Sequence, residues 1–155
     1  MDEVQDNLNN AVDGEFISEE KTHSIFGTTM ARASVVQSLF ESEISKDYNS
    51  SNIEKLSYYK KSNKSKQKIA KKILTYALEN KNTIDESIIR YTNDKSIKKI
   101  PKTDLSILRM AISEISCDLE TPIAVVVNES VKLADVFGSD TSKNFINGVL
   151  SSMVR

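Results

Sequence analysis

Apolar residues along this chain recur at intervals of three and four over most of its length and almost nowhere by alternation, a pattern that predicts helices and no sheet. Thr28 or Thr29 can cap a first helix, which runs to about Ser45 and carries Met30, Val36, Leu39, Phe40 and Ile44 at helical spacing. Ser51-x-x-Glu54 reads as a capping box that opens a short second helix. In the third, Ile69, Ala70, Ile73, Leu74, Ala77 and Leu78 form one stripe with lysines opposite. Thr83-x-x-Glu86 is a further capping box, for a fourth helix holding Ile84, Ile88 and Ile89. Pro101 interrupts, after which Leu105, Leu108, Ile112 and Ile115 step through a fifth helix capped near Thr103. Thr121, with Pro122 at the first helical position, starts a sixth, and Gly138 fits a left-handed C-terminal cap. The seventh extends from about Asp140 or Thr141 to Met153.

One run departs from this pattern. Ile123-Ala-Val-Val-Val127 is strand-like locally, but Val131 and Ala134 continue it at helical offsets behind a proline start, which makes a buried helix the better reading. The expectation is an all-α, compact bundle of about seven helices without internal repeat. A chain of 155 residues fits a single domain able to bury about two thirds of its unfolded surface. Polar groups nevertheless interrupt three of the greasy faces: Arg109, Asn128 with Glu129, and Asn147 beside Gly148. Arg109 and Glu129 stand on segments expected to pack together, and either charge buried alone is costly, so mutual pairing or backbone bonding is predicted. Gly148 inside a helix costs about 1 kcal/mol relative to Ala. Close helix approach is its ordinary explanation, with Asn147 satisfying a neighbouring backbone group.

Charge changes the picture of the ends more than of the middle. Residues 1–27 hold seven acids and one lysine, a net of −6, so a total of −1 leaves +5 for residues 28–155. The first 25 residues are rich in Asn, Asp, Gln and Glu with few apolar anchors, and are expected to stay flexible, as an acidic extension on a basic body that begins near Gly27. Residues 55–72 contain eight lysines and no acid, with Tyr58 and Tyr59 beside them. Such a run attracts phosphates by counterion release, and tyrosines stack on unpaired bases; a merely solvated helix face has the same composition. Lys64, Lys66, Lys68 and Lys71 are the candidate contacts, and roughly four phosphates neutralised give a salt slope near −3 on a single strand. Phe145 is either core or a stacking platform for a base.

Other chemistry is not supported. Cys117 has no second cysteine to pair with, and His23 is the only histidine, so neither a disulfide nor a zinc cluster is expected. No run approaches the roughly 18 apolar residues of a membrane span, and the acidic start is unlike a signal peptide; a cytoplasmic, membrane-free location is expected. Phosphate-cradling glycine loops and nucleophile elbows are missing too, which argues against an enzyme and against a cofactor.

Leu108-Arg109, Glu114, Pro122, Asn128-Glu129, Leu133-Ala134, Phe137-Gly138 and Phe145-x-Asn147-Gly148-Val149-Leu150 fall in an order that resembles the C-terminal half of the NusB family of bacterial transcription antitermination proteins. Residues 31–40, ARASVVQSLF, are similar to the first helix of that family, A-R-x-x-A-x-Q-x-L-Y, so the likeness covers about residues 28–154. The resemblance implies an all-α factor that pairs with the ribosomal protein NusE. Together they bind the boxA element of nascent transcripts, chiefly of ribosomal RNA operons, and make RNA polymerase read through terminators. By position it implies RNA contact at Arg32 and Phe145 and NusE contact at Phe40 and Thr141. Thr28, Thr29 and Met30 stand where the family usually carries two or three arginines, and the family's common tryptophan has no counterpart between Lys95 and Pro101. Two other readings stay open: a helical protein-interaction module with weakened or lost RNA binding, and the NusB-like domain of an RNA cytosine methyltransferase, for whose catalytic domain a chain ending at Arg155 leaves no room unless it is a fragment.

Overall fold

The computed structural model describes residues 29–155, and among them every regular element is helical. The acidic extension expected at residues 1–27 lies outside the described residues. Seven α-helices follow in order: α1 (Thr29–Ser45), α2 (Ser57–Lys61), α3 (Lys64–Glu79), α4 (Lys81–Arg90), α5 (Lys102–Ser116), α6 (Ile123–Phe137) and α7 (Ser142–Met153). Short 3-10 turns at Ser50–Lys55 and Ile97–Lys99 join α1 to α2 and α4 to α5.

The body is built around α1 and α5, which pack on each other; α3 lies against both, α4 against α5, and α6 and α7 form a pair closing the other side of α5. Thr103 through Glu114 are all buried, so α5 is enclosed on every face and its polar residues are buried with the rest. The centre of α1 is equally enclosed: Ala33, Val35, Val36 and Leu39 are buried together with Ser34, Ser38 and Ser42. Small serines every fourth residue let neighbouring helices come close, and the Ser34 hydroxyl is satisfied by donating to the Ala31 carbonyl at 2.6 Å. Each fully buried Leu or Ile in this core, such as Leu74, Ile88, Leu108 and Ile146, contributes about 1.5–3 kcal/mol.

Where the structure departs from the sequence reading, competing local chemistry explains it. Asn49, not Ser51, caps the 3-10 turn: its Oδ1 accepts from the Ser51 N–H at 3.0 Å. Thr83 lies inside α4 rather than capping it, because α3 and α4 are joined directly at Asn80, whose side chain donates back to the Tyr76 carbonyl. Pro122 flanks α6 instead of opening it. Ile123 and Val125 are 45% and 41% exposed, so the start of α6 is a surface helix and burial begins at Val126. Ile44 and Ile69, read as inward residues, face solvent. Gly138 is extended (φ −93°, ψ −172°), not left-handed. Its requirement is steric, since a Cβ there would collide with the Ser142 hydroxyl and come 2.8 Å from the Ala134 carbonyl oxygen. That hydroxyl accepts from the Ser139 N–H at 2.9 Å just before α7 begins.

Candidate nucleic-acid interface

The lysines of residues 55–72 are pushed to the surface by the faces their helices bury. Ala70, Ile73, Leu74 and Ala77 of α3 are in the core, and Asn63 fixes the start of the helix by accepting from the Lys66 N–H at 2.9 Å. Lys64, Lys68 and Lys72, four residues apart, therefore share one outward face. Two lysines of the run are paired, Lys55 with Glu41 at 3.3 Å and Lys71 with Glu54 at 2.6 Å. Among the described residues, Lys60, Lys64, Lys66, Lys68 and Lys72 make no ion pair. Tyr58 is not available for stacking: it is buried, its ring edge-on to Phe137 with centroids 6.4 Å apart. Tyr59 is half-buried and also packs on the core.

Arg32 comes to the end of this basic strip from α1. A cleft of about 210 Å³ is lined by Arg32, Lys66, Ile69, Ile73, Glu114 and Thr121, so the start of α1 and the first turn of α3 face one another. The guanidinium is already engaged: Nε and Nη2 each lie 2.7 Å from an oxygen of Glu114, whose side chain is 1% exposed. Burial pushes the Arg32 pKa down, but the Glu114 hydrogen bond and charge outweigh it, and the net shift is upward. Thr29, at a position where the likeness led us to expect arginine, also points inward, donating to Glu129 Oε2 at 2.8 Å.

The polar interruptions resolve differently from their sequence reading. Arg109 does not pair with Glu129. It is buried between α1 and α4, held by both Asp85 oxygens (Nε and Nη2 at 2.8 Å) and by Glu43 (Nη1 at 2.9 Å). Glu129 serves Thr29 instead, with Lys132 3.9 Å away. Asn128 and Asn147 are exposed, so neither locks helices together; Asn147 only accepts from Ser151 at 3.4 Å. Gly148 is exposed with nothing within 4 Å of a built Cβ, which removes close helix approach as its reason. Sequence reasoning missed Glu43 and Asp85 altogether. A signal existed, because Glu43 prolongs the Val36–Leu39 stripe by one step and Asp85 sits three residues before buried Ile88.

The remaining candidates lie apart. Phe40 of α1 and Phe145 of α7 are both half-buried against the core, and Thr141 is exposed at the start of α7, its hydroxyl 3.2 Å from that of Ser139. Since α7 packs on α6 and α5 whereas α3 packs on α1 and α5, Phe145 and the lysines stand on different parts of the body.

This arrangement of helices is that of a known family. The family model for the NusB family matches residues 29–155, all of the described body. The chain belongs to the NusB family. It is 34% identical over 126 residues to the transcription antitermination protein NusB of Alkaliphilus oremlandii, covering 81% of this chain and 91% of the relative. The NusB of Finegoldia magna is 33% identical over 125 residues, with the same coverage. T. maritima NusB superposes with a TM-score of 0.74 at 26% identity, covering 82% of this chain and 89% of that one. NusB proteins are non-enzymatic transcription antitermination factors. Consistent with such a protein, no described helix is long and apolar enough to cross a membrane.

Proposed function

We propose that this NusB-family chain acts in antitermination by binding boxA-type RNA of nascent ribosomal RNA transcripts jointly with the ribosomal protein NusE, so that RNA polymerase reads through terminators. The observation that carries the RNA part is the strip of lysines along α3, with five of the run making no ion pair among the described residues and Lys66 sharing a cleft with Arg32. Lysines on an exposed helix attract the phosphate backbone without reading sequence. Sequence preference then falls to Phe145, through stacking, and to the partner, which Phe40 and Thr141 contact.

A second reading, an interaction module with weakened RNA affinity, is favoured by one observation: the Nε–Nη2 edge of Arg32 is committed to Glu114. An arginine edge so held cannot also grip a phosphate in bidentate fashion. Mixing the chain with its own NusE, with and without boxA RNA, and sizing the products decides between them. A ternary complex supports the proposal, a binary complex alone supports the interaction module, and no complex of either kind overturns both.

A further inference from the structure

Residues 2–20 carry seven acids, opposite in sign to the lysines of α3. We infer that the basic face of α3 is a docking surface for the chain's own acidic N-terminal segment, which competes there with RNA. The inference rests on the RNA reading only for its consequence; the docking stands on charge and geometry. The segment joins the body at Thr29, and Ala31 and Arg32, the next residues but one, line the same cleft as Lys66 and Ile69 of α3. Its point of attachment is therefore beside the lysines of α3 and away from the surface lysines Lys95, Lys98, Lys99 and Lys102, since Arg32 pairs with Glu114 near the end of α5 whereas Lys102 begins that helix.

Reach and charge agree with this. Glu20 lies nine steps along the chain from Thr29, a span of up to about 30 Å when extended. The sixteen residues of α3 are about 24 Å long, so Glu19 and Glu20 can meet any lysine along it, and Asp13 and Glu15 the far end or α2. The net of −6 in residues 1–27 is opposite in sign to Lys60, Lys64, Lys66, Lys68 and Lys72, which no carboxylate of the described residues neutralises. Each exposed contact is weak, but tethering sets the local concentration of the acidic segment in the millimolar range. That is enough to compete with a ligand that is held by the same phosphate-type attraction, and it makes the competition vanish as salt rises.

The test uses the full chain and a full-length variant in which Asp2, Glu3, Asp6, Asp13, Glu15, Glu19 and Glu20 become Asn or Gln. Zero-length carbodiimide coupling of the wild type, mapped by mass spectrometry, should join acidic residues of the segment to Lys64, Lys66, Lys68 and Lys72 at about 0.05 M salt and lose those links at about 0.5 M. Links spread equally over Lys95, Lys98, Lys99 and Lys102, or none to α3, overturn the docking. With a short mixed-sequence single-stranded RNA as probe, the neutral variant should bind about fivefold more tightly at low salt and within about twofold at high salt. Equal affinities at low salt overturn the competition. If neither chain binds RNA, the RNA reading falls, and the cross-link map alone upholds or overturns the docking.

Discussion

Replacing Arg109 with Ala removes the buried cation that joins Glu43 of α1 to Asp85 of α4. In the folded chain its guanidinium makes three charge-assisted bonds of 2.8–2.9 Å to Asp85 and Glu43, whose side chains are only 15% and 14% exposed. Without it, two carboxylates are left close together and poorly hydrated, a situation that costs about 3–5 kcal/mol. Domains of this size are stable by on the order of 10 kcal/mol, so a third or more of the stability should go. In urea, with a slope of about 2 kcal/mol per molar, the midpoint should fall by about 1.5–2.5 M at pH 7 while the slope stays constant. The pH dependence carries a second signature. Burial raises the Glu43 carboxyl, yet the hydrogen bond and charge of Arg109, with smaller help from Lys46 and Lys81, more than offset this and hold it below its ordinary value. A lowered folded-state pKa gives stability that is full above the unfolded value and lost as pH falls through the folded one. Wild type should therefore lose this increment on acidification, and Arg109→Ala should lack it. A midpoint shift below about 0.5 M, or an unchanged acid limb, would refute the reasoning.

Arg32→Ala should cost about 2–4 kcal/mol by thermal melting, because Glu114 stays buried without its partner, and pairing Arg32→Met with Glu114→Leu should restore most of the loss. The two glycines of the C-terminal signature should behave oppositely in urea denaturation. Gly138→Ala should destabilise by about 1–3 kcal/mol through collision with Ser142, while Gly148→Ala, mid-helix and open to solvent, should stabilise by about 0.5–1 kcal/mol. Equal effects at the two positions would contradict the packing described here.

Helix number, order and most boundaries were legible because long apolar stripes at helical spacing report burial directly, as in Ala70–Ile73–Leu74–Ala77. Caps were less so. Asn49, Asn63 and Asn80 all sit at helix ends, yet two Ser/Thr-x-x-Glu matches attracted the reading, since the box is short enough to recur inside a helix. Partner choice was the hardest part. That Arg109 needs a buried acid follows from its position, but whether that acid is Glu129, Glu43 or Asp85 depends on how α1 and α4 meet across α5, which periodicity in one segment does not encode. Likewise Asn128, Asn147 and Gly148 belong to the family signature yet lie on the surface. Their presence among apolar residues reflects the width of the buried stripe on α6 and α7, which is narrower than the run of apolar letters suggests.

The most direct test of the central claim is the salt dependence of boxA RNA binding by the chain together with NusE, for wild type and for a variant with Lys64, Lys66, Lys68 and Lys71 changed to Gln. Wild type should give a log–log slope near −3 and the variant one flatter by about 2, because about three phosphate contacts are lost while Lys71 is already held by Glu54, with helical content unchanged by circular dichroism. Equal slopes for the two proteins, or no RNA binding by wild type at low salt, would contradict it.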